Sequence, residues 1–179
     1  MDTNVELLEY IYETSKMGSS SMDRLCELLE DRENLIRKDI DDTQKGYQKF
    51  KETSDKLLKK RDAEAKPNDM IGEMMSKMGI KKEVKADNSD TAIAKMVIEG
   101  LNMGIIDMES KINQYRDDAD KDVMKFAKEF LKFQKDEVEK YKEYYDRIGN
   151  KINNSGMRVD FHPDQFCVLN STKKEVVEN

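Results

Sequence analysis

Four long stretches of this chain repeat apolar or small residues at alternating steps of three and four, and that period limits the fold more than any other feature. Leu8, Ile11, Ser15, Gly18, Met22, Leu25 and Leu29 make the first stripe, running to about Asp31. Ile36, Ile40, Thr43, Tyr47, Phe50, Ser54 and Leu57 make the second, close to a heptad seam. Ile93, Met96, Val97, Gly100, Met103, Gly104, Asp107 and Met108 make another, and Val123, Phe126, Ala127, Phe130, Phe133, Val138, Tyr141, Tyr145 and Ile148 the last. Such stripes must be buried against one another, so a mainly α fold is expected, built as an antiparallel four-helix bundle over residues 1–147.

Local signals refine this. Thr3-x-x-Glu6 is a capping-box pattern before the first stripe. Pro67 is expected to stop the second helix, with Asn68 or Asp69 capping the next. Met70, Ile71, Met74, Met75 and Met78 predict a short helix ending at Gly79, then a polar linker over 81–88. Ser89-Asp90-Thr91 offers caps for the following helix. Gly100 and Gly104, one turn apart, predict close approach of a neighbouring helix. Arg116-Asp117-Asp118 breaks the pattern before the last helix.

The composition supports long exposed helices rather than a thick mixed core: hydrophobic residues are 37% and charged residues 39%. The formal charge of −6 gives the chain as a whole no attraction for DNA or anionic membranes. No apolar run approaches the ~20 residues of a membrane span. The N-terminus lacks the basic start of a signal peptide, and two distant cysteines, Cys26 and Cys167, do not form a disulfide framework. A cytoplasmic location follows as the expectation.

Several residues invite a chemical reading and mostly have a simpler one. Glu27, Glu30, Glu99 and Asp107 are the acids from which an all-carboxylate metal site would be built, but surface acids explain them better. Met74 and Met78 suit a partner groove or, more simply, core filling. Lys56-Leu-Leu-Lys-Lys-Arg61 reads as a basic helix end facing the negative pole of the dipole. Cys167 reads as a small apolar residue, because no second histidine exists to activate a thiol.

Near Gly149 the character of the sequence changes. Asn153-Asn154-Ser155-Gly156 is a turn cluster. Met157, Val159 and Phe161 alternate with Arg158 and Asp160, which predicts a strand ended by Pro163. Ser171-Thr172 then resembles a helix cap. Residues 148–179 thus read as a short βα fragment of the TIM-barrel type. His162, at the end of the strand, is the only histidine in the chain.

This segment resembles the ultraviolet-damage endonuclease family. The resemblance is carried by Ile148-Gly149, Met157-Arg158, Phe161-His162-Pro163-Asp164-Gln165-Phe166, Leu169-Asn170-Ser171 and Glu175-Val-Val-Glu-Asn179. It implies a metal-dependent DNA repair enzyme built on a TIM barrel, with a divalent metal such as Mn and damaged DNA as substrate. It also implies that His162 is a metal ligand, and that Gln165 and Phe166 probe the duplex at the lesion. A barrel of this kind needs ~250 residues and further ligands from other strands. With one histidine in total, the chain is expected to be a truncated or fused form, inactive in incision by itself.

The body is similar to a ferritin-like bundle, through its helix count and the run Met96-Val-Ile-Glu-Gly-Leu-Asn-Met-Gly-Ile-Ile-Asp107. Di-iron sites of that class use Glu-x-x-His pairs, and the body has no histidine, so no cofactor is expected there. The resemblance implies a non-enzymatic binding or oligomerisation module, acting as a homo-oligomer or with a protein partner.

Overall fold

The computed structural model describes residues 2–30, 32–65 and 70–155, including their side chains except at 70–77 and 148–155. The chain divides into two units, Met1–Tyr145 and Asp146–Asn179. It is mainly helical: α1 spans Thr3–Leu28, α2 Arg37–Lys59, α3 Met70–Ala86, α4 Asp90–Gln114 and α5 Lys121–Ser155. The strand expected over Met157–Phe161 lies outside the described residues.

Helix ends follow local chemistry. Asp2, rather than Thr3, caps α1, its carboxylate accepting from the Asn4 amide at 2.9 Å. Ser89 caps α4, accepting from Ala92 N–H at 3.2 Å. The end of α2 does not need Pro67. Asp62 takes a left-handed conformation, φ 51°, while Ala63 N–H reaches Leu58 C=O at 3.1 Å and Asp62 N–H reaches Lys59 C=O at 3.2 Å. This is the Schellman arrangement, with a short polar side chain where glycine is more usual.

Two helices run further than the sequence suggests. α3 passes through Gly79 to Ala86, so most of the expected linker is helical. One glycine costs a helix only about 1 kcal/mol, and Val84, 2% exposed, anchors the far end in the core. α5 continues through Asn153-Asn154 to Ser155, because asparagine is only mildly unfavourable within a helix.

Within Met1–Tyr145 the long helices pair in opposite senses. Gly18 and Ser19 of α1 meet Tyr47 and Gln44 of α2. Along α2, Asp39, Thr43, Gly46, Phe50 and Arg61 meet Tyr144, Tyr141, Phe133, Phe130 and Asp120 in turn. Asn4 bonds the Asp120 amide, Tyr10 lies under Lys111, and Asn34, just beyond α1, bonds Asp90. α1 therefore runs against both α2 and α4, and α5 runs against α2. Read in chain order, α1, α2, α4 and α5 go up, down, down and up, with α3 in the one long connection.

The stripes from α1, α2 and α5 are largely the buried faces; Leu7, Leu8, Ile11, Ile36, Ile40, Phe130 and Tyr141 are all fully buried. Three assignments change. On α4, Leu101 is buried while Met103 is 70% exposed and Gly100 has open space beside it. On α5, Tyr144 is buried and Tyr145 faces outward. Met78 is 65% exposed and fills no core; the Met74 side chain lies outside the described ones.

The close approach expected at a Gly pair on α4 occurs at Gly104, against the Gln134 side chain, and more extensively elsewhere. A methyl at Gly18 would sit 2.7 Å from the Tyr47 ring, and one at Gly46 would overlap Phe133. Tyr47, Phe50, Phe126, Phe130 and Phe133 fill the space between α2 and α5, with centroids 5.1–6.3 Å apart. Phe130→Ala should lower unfolding free energy by about 3–5 kcal/mol in urea titration, whereas Met103→Ala should change it by less than about 0.5 kcal/mol.

Candidate functional site

The residues nominated by sequence, His162, Gln165 and Phe166, lie outside the described residues. The body's acids do not converge. Glu27 pairs with Arg24 at 2.7 Å and Glu99 with Lys95 at 3.8 Å, each on its own helix. Among the described residues no three histidine, cysteine or acidic side chains are placed to hold a metal ion. Burial pushes the Cys26 thiol above its ordinary value, aided by Asp41, which disfavours the reactive thiolate.

What the helices bring together is a buried polar seam between α2 and α5. Thr43 Oγ1 lies 2.7 Å from the Asp39 carbonyl, 2.5 Å from Glu137 Oε2 and 2.8 Å from the Tyr141 hydroxyl. Its single proton serves one acceptor at a time, and the Tyr141 hydroxyl can donate to its lone pair. Lys140 reaches the same Glu137 oxygen at 2.6 Å, and the Tyr144 hydroxyl donates to Asp39 Oδ2 at 2.5 Å. Two buried oxygens, Ser15 Oγ and Gln134 Oε1, have no hydrogen-bond partner among the described residues.

This seam is built for holding rather than for proton transfer. Desolvation raises the Tyr141 phenol far above its ordinary value; the Thr43 hydrogen bond opposes the shift and the nearby Glu137 and Asp39 charges add to it. Desolvation does the same to Tyr47, against a hydrogen bond from Gln134. Both phenols stay protonated at any physiological pH.

A second feature lies on the surface, where Arg116, Lys121, Lys125, Lys128 and Lys132 line an open groove of about 540 Å³ with Ala119, Met124 and Glu129. Sequence reading missed both features. Thr43 falls on the buried stripe that the sequence predicts, but its partner Glu137 and the buried Gln134 do not, because a long polar side chain within an apolar stripe looks like solvent-facing surface. The lysines at 121, 125, 128 and 132 carried a visible signal, steps of four, three and four.

Residues 109–179, under half of the chain, match the family model for the UV-endonuclease UvdE. The matched segment includes all of α5 and the groove residues, and so begins well before the tail whose motifs first suggested it. No curated protein and no solved structure matches the chain.

The seam gives a pH prediction. A phenol whose folded pKa lies above its unfolded value of about 10 contributes stability that is complete below pH 10 and falls as pH rises beyond it. Urea midpoints should therefore decline above pH 10, and the decline should be shallower in Tyr47→Phe than in wild type.

Proposed function

We propose that this chain acts on DNA through a segment of the ultraviolet-damage endonuclease type, and that the segment is inactive in incision without ligands from elsewhere. The observation that carries this is the family match over residues 109–179, which encloses Phe161-His162-Pro163-Asp164-Gln165-Phe166. In this reading His162 is one ligand for a divalent metal such as Mn²⁺, whose chemistry would be to activate water and neutralise phosphate charge. Phe166 stacks on or wedges between bases at the lesion, and the Gln165 amide bonds their edges.

The body is read as a ferritin-like bundle serving as a binding or oligomerisation module. The support is its up, down, down, up helix order with one long connection, which is the connectivity of that class. Its interior holds aromatic rings and hydrogen-bonded hydroxyls.

Incubating the full chain with ultraviolet-irradiated supercoiled plasmid and Mn²⁺ should give no more nicking than His162→Ala. Nicking that requires irradiation, metal and His162 would overturn the proposed inactivity and mean that a second copy completes the site. In gel-shift titrations the chain should prefer irradiated duplex. Gln165→Ala with Phe166→Ala should reduce that preference roughly 5- to 100-fold, the range expected for losing one stacking contact. Equal binding of irradiated and unirradiated duplex by wild type would overturn the lesion-probing role.

A further inference from the structure

We propose that the groove lined by Arg116, Lys121, Lys125, Lys128 and Lys132 binds the phosphate backbone of duplex DNA, independently of any lesion.

The first ground is local charge. The chain carries a net −6, yet this groove presents five cations and one carboxylate, Glu129. The net charge of its lining is opposite in sign to that of the chain as a whole, which suits a polyanion. Met124 and Ala119 add apolar lining beside the cations.

The second ground is spacing. Lys121, Lys125, Lys128 and Lys132 share one face of α5. At about 1.5 Å of rise per residue they place a cation roughly every 5.5 Å over some 16 Å. This is a linear array, which suits a repeating backbone better than a single small anion.

The third ground is availability. Lys125 and Lys132 side chains are 79% and 74% exposed, and their partners are carboxylates one turn along the same helix, Glu129 at 3.9 Å and Asp136 at 2.5 Å. Exposed pairs of this kind are worth at most about 1 kcal/mol and yield readily to phosphate. Arg116, Lys121 and Lys128 make no ion pair among the described residues. The acids at the start of α5, Asp120 and Asp122, are engaged by Arg61 at 3.2 and 3.3 Å. Asp117 and Asp118 are exposed in the preceding turn but do not line the groove. Lys121, in the first turn, works against the dipole of its helix, so helix stability does not explain its position.

The identity of the polyanion as DNA rests on the family reading of the same segment, which encloses every groove residue. The two remain separable, because backbone binding is salt-dependent and indifferent to lesions.

The test uses the full chain and a labelled, undamaged 20-base-pair duplex, with anisotropy read at several salt concentrations. Replacing Lys121, Lys125, Lys128 and Lys132 with Gln should weaken binding on the order of 100-fold near 0.1 M salt. It should also make the slope of log K against log salt shallower by about 3–4, since each backbone phosphate contact contributes about 0.9. Lys→Arg at the same four positions should restore both. Far-ultraviolet circular dichroism and urea midpoints should match wild type, because all four side chains are on the surface. An unchanged slope in the Gln variant, or no binding of duplex by wild type, would overturn the proposal. So would tighter binding of phosphatidylserine vesicles than of DNA. His162→Ala and the Gln165→Ala, Phe166→Ala pair should leave the slope intact. Equal binding of irradiated and undamaged duplex by wild type, with this slope retained, would sink the endonuclease reading and leave the groove standing.

Discussion

The packing of α2 against α5 is the contact on which the rest of the body depends. Tyr47 lies against Gly18 of α1 on one side and edge-on to Phe133 of α5 on the other, 5.1 Å between ring centroids. Phe50 touches three α5 rings. One residue, Tyr47, thus couples three helices, and glycine allows it: any side chain at position 18 would push the ring away. Aromatic burial of this extent supplies much of the apolar area that a charge-rich chain otherwise lacks.

At the ends of the pair, polar groups take over from rings. Arg61 ties the end of α2 to the start of α5 through Asp120 and Asp122, and Tyr144 ties the opposite end to Asp39. The surface pairs add little to stability, but Thr43, Glu137 and Tyr141 are buried, so their hydrogen bonds are obligatory rather than optional. The matched family segment and the basic groove share α5 with this core. The helix that the matched segment contributes is also the main packing element of the body.

Much of this was legible in the sequence, for identifiable reasons. Steps of three and four named the buried faces of α1 and α2 nearly residue by residue, because those helices bury one side only. α4 was harder: its apolar residues surround more of the helix, and Met103 and Ile106 proved exposed while Leu101 went inward. Boundaries drawn at Gly79 and Asn153 failed, since a single weak helix former does not end a helix with good neighbours or a distant anchor such as Val84. The helix end at Asp62 was missed because a left-handed aspartate carries no signal comparable to glycine. Of the nominated site, the motif around His162 was legible as family resemblance alone, and its geometry lies beyond the described residues. The lysine groove was legible in its spacing but was lost among the many charges of a chain in which they are the norm.

Heptad-like helices share a weakness: sliding one along its neighbour by seven residues keeps apolar against apolar. Thr43 and Gly46 remove that freedom here. A slide of one heptad on α2 would set Phe50 or Ile36 opposite Glu137 and Tyr141, stranding two buried polar groups at about 1–3 kcal/mol each. It would also set Asp39 or Thr53, which carry Cβ atoms, where Gly46 now admits the Phe133 ring. The seam therefore acts as a detent, allowing a repetitive pair of helices only one axial position.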